Sequence, residues 1–394
     1  MKFIHTADWH LGKLVQGVYM TEDQRYVMGQ LVDAVTEERP DAVIIAGDLY
    51  DRAIPPTEAV ELLDELFERI VIGLNTPVLA IAGNHDSPDR VNFASTILEA
   101  RGLYLVGQLR PELKPVVLHD EHGEVHFHLI PYADPAQIRH VLGDDQIRTH
   151  DDAMRAIVTR IKAGMESAAE RTRHVFVGHA FVTPGGEARS NTSESERPLA
   201  IGGAEHVSAE HFRTFHYTAL GHLHQAHYVS NETIRYAGSP LKYSISEERH
   251  EKGFLIVEMD AEGSVAIHKK PFVPIHDMRR VEASIEEIES AHSVSEDYVF
   301  VTLLNDNPVL YPMEKVRAVY PNAMHVERRI RQASAVGSST AELAAAAGGR
   351  RNADPLALFA AFYQEVKGMP LDEEKRTLFA EMYMAELREE GGGA

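Results

Sequence analysis

Five short clusters of aspartate, histidine and asparagine lie in the first 224 residues, each directly after an apolar run. The clusters are Asp8-Trp9-His10, Gly47-Asp48-Leu49-Tyr50-Asp51, Gly83-Asn84-His85-Asp86, Gly178-His179 and Gly221-His222-Leu223-His224. Carboxylate, imidazole and amide groups, without sulfur, are the ligands of hard to borderline divalent cations. Since a carboxylate can bridge two ions, this set predicts a two-metal site suited to phosphoryl displacement.

The apolar runs before these clusters predict the buried strands that would position them. They cover residues 3–5, 42–46, 78–82, 174–177 and 217–220. Helical apolar spacing at 24–38 and 57–74 alternates with the strands, which is typical of layered α/β folds. In such folds ligands bind beyond the carboxyl ends of the strands, so the five clusters are expected to converge on one crevice. Asp8/His10 and His222/His224 are expected on loops that follow the strands rather than on flat strands.

The pattern changes near residue 275, and the chain is predicted to have four parts. Residues 1–275 form the α/β domain, and residues 276–331 read as a small α+β capping unit. Residues 332–353 are rich in Ala, Ser and Gly and are typical of a linker. Residues 354–390 contain two apolar stripes at helical spacing, which predicts a helical arm.

The composition narrows the class of protein. The 394 residues carry a net charge of −21, with 22 histidines and no cysteine, so disulfides and thiolate metal sites are excluded. Because there is no signal-peptide pattern and no apolar run near the roughly 20 residues of a membrane helix, we expect a soluble, cytoplasmic protein without membrane association. Phosphate binding needs cations. The candidate DNA contacts are Arg197, Arg328, Arg329 and Arg331, although an arginine strip of this kind is equally consistent with a solvated surface or a partner contact.

The ordered set DxH, GDxxD, GNHD, GH, GHxH resembles the signature of the calcineurin-like metallophosphoesterases. The resemblance implies a β-sandwich flanked by helices and two bound divalent ions, of which Mn²⁺ is the family's preferred metal. It implies the following roles by position: Asp8, His10 and His224 hold one ion, Asn84, His179 and His222 hold the other, Asp48 bridges both, and His85 is catalytic. Asp86 is then expected to orient His85, because a carboxylate can fix a histidine tautomer.

A narrower resemblance is to the SbcD family, the nuclease subunits of bacterial SbcCD complexes. It rests on the start of the chain through Gly12, on Ser193-Glu194-Ser195-Glu196-Arg197-Pro198-Leu199 and on Tyr236-Ala237-Gly238-Ser239-Pro240-Leu241. It implies double-strand exonuclease and single-strand endonuclease action at DNA ends and hairpins, with an SMC-like ATPase, in repair and recombination. Asp51 stands where other relatives carry histidine, so we assign it a supporting position beside the ligands and no direct catalytic role.

The same resemblance implies two protein interfaces. The C-terminal helix pair would dock on the coiled coil of the ATPase, and the helix at 57–74, with segment 92–101, would contribute to a homodimer. The residues predicted to bind the ATPase are Leu356, Phe359, Tyr363, Leu378, Phe379 and Met382.

Three other functions are compatible with the ligand pattern. The first is a small-molecule phosphodiesterase or pyrophosphatase, which the acidic charge favours and the capping unit and helical arm disfavour. The second is a protein phosphatase, which the same two features disfavour. The third is a non-catalytic scaffold, against which the complete ligand set and His85 count.

Overall fold

A computed structural model of the chain shows two units. It describes residues 1–165, 171–186, 193–196, 199, 205–291, 294–329, 355–367 and 369–391. The larger unit comprises Met1–Arg280, Ser295–Phe300 and Tyr320–His325, and the smaller comprises Val281–Val294, Val301–Val319 and Val326–Ala394.

The first sheet of the larger unit has six strands. In spatial order they are Val265–Pro271, Gly253–Met259, Lys2–Thr6, Ala42–Ala46, Val78–Ile81 and Leu103–Val106. The last four are mutually parallel, and Gly253–Met259 runs antiparallel to Lys2–Thr6. All five residues of Ala42–Ala46 are buried, as expected for a parallel strand covered on both faces.

The second sheet also has six strands. Their spatial order is His227–Val229, Asn231–Tyr236, Tyr217–Gly221, Arg173–His179, Gly123–Ile130 and Val116–Asp120. The four central strands are parallel, and each edge strand is antiparallel to its neighbour. Both sheets therefore present several carboxyl strand ends at one edge.

The two sheets pack face to face. Phe3 of the first sheet lies edge-on to Phe127 and Tyr217 of the second, with ring centroids 5.8 and 5.5 Å apart. Helices Thr21–Glu38 and Thr57–Phe67 contribute to the apolar cluster on the outer side of the first sheet, and His150–Met165 to that of the second. The predicted β-sandwich flanked by helices is confirmed.

The other elements of the larger unit are short. Thr57–Phe67 continues as a π-helix over Glu68–Gly73, and 3-10 turns cover Ala209–Phe212 and Ile245–Glu247. The short helices are Pro88–Val91, Ser95–Glu99 and Pro135–Leu142, and the short strands are Leu14–Val15, Val18–Tyr19, Phe181–Thr183 and His206–Ser208.

Beyond residue 275 the chain forms, in order, a strand, a helix, a strand, a helix and a strand. Strands Met278–Ala283, Tyr298–Leu303 and His325–Arg328 form a three-stranded sheet in that order, with helices Ile285–Glu289 and Pro312–Arg317 between them. The Ser284 and Glu287 side chains form a capping box at the start of the first helix. The predicted linker at 332–353 lies outside the described residues, and the boundaries of the four predicted parts remain predictions.

Two helices, Pro355–Lys367 and Glu373–Gly391, follow near the C-terminus. The rings of Phe359 and Phe379 stack 4.0 Å apart at 3° and join the helices. Among the helices that the structure describes, none combines the length and apolar character needed to cross a membrane.

Candidate metal centre

The predicted ligands lie where predicted, at the carboxyl ends of parallel strands. Asp8 and His10 follow Lys2–Thr6, Asp48 follows Ala42–Ala46, and Asn84 follows Val78–Ile81. In the second sheet, His179 ends Arg173–His179, and His222 and His224 follow Tyr217–Gly221. The face-to-face packing of the sheets brings both sets of strand ends together.

Four of these ligands have left-handed backbone conformations, as the loop prediction requires. The φ angles are 52° at Asp8, 46° at His10, 51° at Asp48 and 110° at His222. Residues with side chains pay roughly 1–3 kcal/mol for such conformations, and they concentrate at functional sites. The backbone of each loop therefore turns off its strand to aim the side chain into the crevice.

Two glycines make this close approach possible. A Cβ on Gly221 would lie 1.9 Å from the Ala46 carbonyl oxygen, where the two sheets meet. A Cβ on Gly83 would lie 2.1 Å from Asp48 Oδ1. Any other residue at either position would push the ligand loops apart.

The first group of ligand atoms comes from His10, His224 and Asp48. His10 Nε2 lies 3.1 Å from His224 Nε2 and 3.6 Å from Asp48 Oδ2. Asp8 is fully buried beside them, and its carboxylate accepts the His222 backbone N–H at 2.9 and 3.1 Å. This arrangement brings the predicted ligands of one ion together.

The second group shares Asp48. His179 Nε2 lies 2.9 Å from Asn84 Oδ1 and 3.4 Å from Asp48 Oδ2, and the His222 ring centroid is 5.5 Å from that of His179. The Asp48 carboxylate thus lies within 3.6 Å of one histidine of each group.

The hydrogen bonds of the histidine rings leave lone pairs directed into the crevice, as cation binding requires. His179 Nδ1 lies 3.0 Å from the Ala46 carbonyl oxygen and donates to it, which leaves Nε2 of the neutral ring as a lone pair. That lone pair faces the Asn84 and Asp48 oxygens, so three acceptors converge without a donor. His10 Nδ1 and Asn84 Nδ2 are buried without a hydrogen-bond partner among the described residues. A divalent cation, if bound there, would satisfy the converging acceptors.

Burial and charge act strongly on the titrating groups of the crevice. Burial raises the pKa of Asp8 to about 7 and lowers the pKa values of His10 and His222 well below the ordinary value. Burial also opposes protonation of His179, but the Asp48 and Asp8 carboxylates outweigh it and raise the His179 pKa to about 9. Bound divalent cations would reverse these directions for Asp8 and His179, because they favour ionised carboxylates and neutral imidazoles.

His85 lies beside the first group of ligands, with its ring centroid 4.6 Å from that of His10. Its Nδ1 is 2.8 Å from the backbone carbonyl of Asp51, and its backbone N–H donates to Asp48 Oδ1 at 2.8 Å. Asp86 was predicted to orient His85. Its oxygens accept the backbone N–H groups of Leu49, Tyr50 and Gly83, at 2.9–3.0 Å, and its role toward His85 remains a prediction. The Asp51 carbonyl therefore orients the His85 ring, and Asp86 joins two ligand loops.

The Asp51 side chain lies next to the ligands, as predicted. Its Oδ1 is 2.7 Å from Lys13 Nζ, 3.8 Å from His10 Nδ1 and 4.0 Å from His85 Nδ1. An open groove of about 610 Å³ runs over this corner, and Lys13, Asp51, Arg52 and His85 contribute to its lining.

Comparison with known proteins agrees with this geometry. The family model for calcineurin-like phosphoesterases matches residues 1–226, and the model for the type 5 capsule protein repressor C-terminal domain matches residues 274–367. The SbcD component of the SbcCD nuclease of Staphylococcus epidermidis is 34% identical over 82% of this chain and 84% of its own. That of Staphylococcus saprophyticus is 35% identical over 82% and 84%. The chain belongs to the SbcD family of calcineurin-like phosphoesterases.

Membership of this family makes the chain a metal-dependent phosphoesterase, in agreement with the ligand geometry. Among solved structures, a dimetal phosphatase from Danio rerio aligns with 69% of this chain and 96% of its own, at 12% identity and a TM-score of 0.39. That likeness is too distant to support any inference about function.

The other predicted binding residues of this SbcD-family chain differ in their exposure and contacts. Arg197 and Arg331 lie outside the described residues. Arg329 is exposed and pairs with Glu282, and Arg328 is half-buried. Leu378 and Met382 are exposed on the last helix, whereas Phe359 and Phe379 stack between the helices. Leu356 and Tyr363 are half-buried on the first helix of the pair. The binding roles of these residues remain predictions.

Sequence reasoning missed a group of polar residues behind His224. Glu247 Oε1 lies 3.1 Å from His224 Nδ1, Ser195 Oγ lies 2.8 Å from the same nitrogen, and Glu196 accepts the His224 backbone N–H at 2.6 Å. Lys252 is buried beside Glu247. The Ser193–Glu196 motif carries a signal only through the family resemblance, and no local pattern singles out Glu247 or Lys252.

Proposed function

We propose that the chain is a two-metal DNA nuclease that hydrolyses phosphodiester bonds at DNA ends and hairpins together with an SMC-like ATPase. The observation that carries the proposal is the pair of ligand groups sharing Asp48 in one buried crevice. The two staphylococcal relatives, both named as part of the SbcCD nuclease, support DNA as the substrate and an SbcC-like ATPase as the partner. We place its action in the cytoplasm, at the nucleoid.

The ligand assignments follow the two groups. Asp8, His10 and His224 would hold one ion, Asn84, His179 and His222 the other, and Asp48 both. When bound, the two ions supply an activated water and neutralise the charge that develops on the phosphorane. Oxygen and imidazole donors suit Mn²⁺, which we propose as the physiological metal.

His85 is the proposed catalytic side chain. It borders the open groove and lies beside His10, where a scissile phosphate would be bound. With Nδ1 tied to the Asp51 carbonyl, the protonated ring has its Nε2 proton to donate to a phosphoryl or leaving oxygen. General acid catalysis of this kind contributes roughly 10²- to 10⁴-fold.

The net charge of −21 disfavours tight DNA binding by this chain alone, so a partner or a local basic strip must help. Near the proposed catalytic residue, Lys13 and Arg52 line the groove, and Lys13 is already paired with Asp51. We therefore propose that the ATPase supplies much of the cationic surface. Of the residues predicted to bind it, Leu378 and Met382 are exposed, and we add the exposed side chains of Leu358 and Phe362 to the proposed contact surface.

A homodimer is proposed through helix Thr57–Phe67 and the segment at 92–101. Val60, Ile72, Phe93 and Ile97 are large apolar side chains exposed by 44–78% in or next to segments 57–74 and 92–101. Single exposed apolar residues are ordinary, but four in two neighbouring stretches of sequence suit a self-association surface. Light scattering measures the molar mass of the purified chain and of a Phe93→Glu/Ile97→Glu variant, and we expect a dimeric wild type and a monomeric variant. A monomeric wild type contradicts the proposal.

The decisive experiment uses end-labelled duplex and hairpin DNA with Mn²⁺. We expect degradation by the wild type and none with EDTA or with His85→Ala, which should still bind both ions. Full activity of His85→Ala contradicts its assigned role. Intact DNA together with hydrolysis of bis-nitrophenyl phosphate, and no change after adding the ATPase, would favour the small-molecule phosphodiesterase that the acidic charge allows.

A further inference from the structure

A buried carboxylate outside the proposed ligand set stands behind the first ion-binding group. Glu247 ends the 3-10 turn Ile245–Glu247 and is completely buried. Its Oε1 lies 3.1 Å from His224 Nδ1, on the side of the ring opposite to the nitrogen that faces His10. It therefore contacts a proposed ligand from the side that faces away from His10.

Glu247 is itself fixed by a buried lysine. Lys252 Nζ donates to Glu247 Oε2 at 2.5 Å, to the His224 backbone carbonyl at 2.9 Å and to Ser239 Oγ at 2.8 Å. The Glu247–Lys252 pair thus holds His224 at two points, through the ring and through the main chain.

The acceptors around His224 Nδ1 determine its tautomer. Ser195 Oγ donates to Glu247 Oε1, so its lone pairs and those of Glu247 are both directed at the His224 Nδ1–H. With the proton held on Nδ1, Nε2 of the neutral ring is a lone pair, 3.1 Å from His10 Nε2. Only this tautomer allows His224 to act as a ligand through Nε2.

General stability does not account for the pair. Burying a carboxylate and an ammonium costs several kcal/mol each in desolvation, and apolar side chains of similar volume are often as stabilising. The groups that the pair contacts are instead the ring and carbonyl of one metal-ligand residue. Carboxylates that accept the second N–H of a ligand histidine typically raise metal affinity by 10- to 100-fold.

We infer that Glu247, fixed by Lys252, is a positioning residue that sets the tautomer and orientation of His224 and so controls the affinity of one of the two ions. The inference rests on the proposed role of His224 as a ligand. It predicts that substitution of Glu247 weakens the binding of one ion and not of the other, because His179 takes its orientation from the Ala46 carbonyl and not from the Glu247–Lys252 pair.

The test compares Mn²⁺ binding to the full-length, chelator-treated wild type and to two variants by isothermal titration calorimetry. Glu247→Gln removes the charge, and Glu247→Asp keeps a charge for Lys252 but is one methylene too short to reach His224. We expect two sites in the wild type. In both variants one site should weaken by about 10- to 100-fold and the other should be unchanged. At two equivalents of Mn²⁺, the spin-coupled electron paramagnetic resonance signal of an ion pair should give way to that of isolated Mn²⁺.

Glu251→Gln is the matched control, because its side chain is 88% exposed and it makes the same charge change four residues away. It should bind both ions as the wild type does. If Glu247→Gln does not fold, Glu247→Asp decides alone, since its carboxylate still pairs with Lys252. Wild-type affinities at both sites in a folded Glu247→Asp variant overturn the inference and leave the proposed function intact. A wild type that binds fewer than two ions overturns the ligand assignment itself.

Discussion

Replacing Gly83 with alanine tests how closely the two ligand loops must approach. The added Cβ would lie 2.1 Å from Asp48 Oδ1 and 2.4 Å from the Asp48 backbone nitrogen. Gly83 is not among the glycines with positive φ, so its backbone accepts alanine and the clash is the only obstacle. The contact reaches 3.0 Å only if the Asp48 carboxylate or its loop moves by about 0.9 Å.

Such a displacement is large for metal chemistry. Ligand distances in metal sites are held within roughly 0.2 Å, and a misplacement of about 1 Å can reduce catalysis about 10²-fold. Because Asp48 belongs to both ligand groups, we expect both Mn²⁺ sites to weaken and the hydrolysis of bis-nitrophenyl phosphate to fall by about two orders of magnitude.

Gly164→Ala is the control for this substitution. Gly164 lies in helix His150–Met165 with open space around the position of its Cβ, so alanine should leave both activities unchanged and slightly stabilise the protein. Calorimetry with Mn²⁺ and a steady-state rate assay measure the two effects. Wild-type metal binding and rate in a folded Gly83→Ala protein would refute the inferred position of Asp48.

Three further predictions concern binding and stability. Leu378→Glu/Met382→Glu, which charges an exposed helix face, should abolish capture of the ATPase by the chain in pull-down assays and leave hydrolysis of bis-nitrophenyl phosphate unchanged; Lys375→Glu, on the same helix, should retain capture. Burial lowers the pKa of His128 to about 3 and that of His174 to about 4, so unfolding gains protons as the pH falls below 6.5 and stability is lost progressively down to about pH 4. For His128 the loss of stability at pH 5 is about 2 kcal/mol. The difference between the urea midpoints at pH 7.5 and pH 5, measured at saturating Mn²⁺, should therefore shrink in His128→Gln. It should persist in the control His140→Gln, because His140 is exposed. Chelation of bound metal should lower the thermal midpoint, since 100 Kd of free Mn²⁺ contributes about 2.7 kcal/mol; equal midpoints with and without EDTA would contradict a folded-state metal site.

The strand-end positions of the proposed ligands were predictable because residue type and position after an apolar run indicate the same feature, and four of the five clusters begin with glycine. The contact between Glu247 and His224 was not predictable, because Glu247 is 23 residues further along the chain and reaches His224 only through the fold. Asp86 shows a second limit: sequence proximity suggested a role toward His85, but no local pattern indicated that its oxygens accept the backbone N–H groups of Leu49, Tyr50 and Gly83.

Amphipathic spacing was similarly informative but incomplete. In helix Thr57–Phe67, Val60, Leu63 and Leu66 all fall in the apolar spacing, but only Leu63 and Leu66 are buried and Val60 is 44% exposed. In the C-terminal pair it could not distinguish side chains that join the two helices, such as Phe359, from those such as Leu378 that face outward. Periodicity identifies an apolar face but not its partner.

The order of strands in the first sheet has a consequence for synthesis of the chain. Lys2–Thr6 lies between Ala42–Ala46 and Gly253–Met259, and the Met1 ammonium bonds a carbonyl 258 positions further along. At roughly 5–20 residues per second, a ribosome needs roughly 13–50 s to supply that closing strand. Until then Phe3 and Ile4 have an unpaired neighbouring edge, and Asp8 and His10 lack His222 and His224. The nascent chain therefore cannot complete its sheet or its metal centre until most of the chain has been translated.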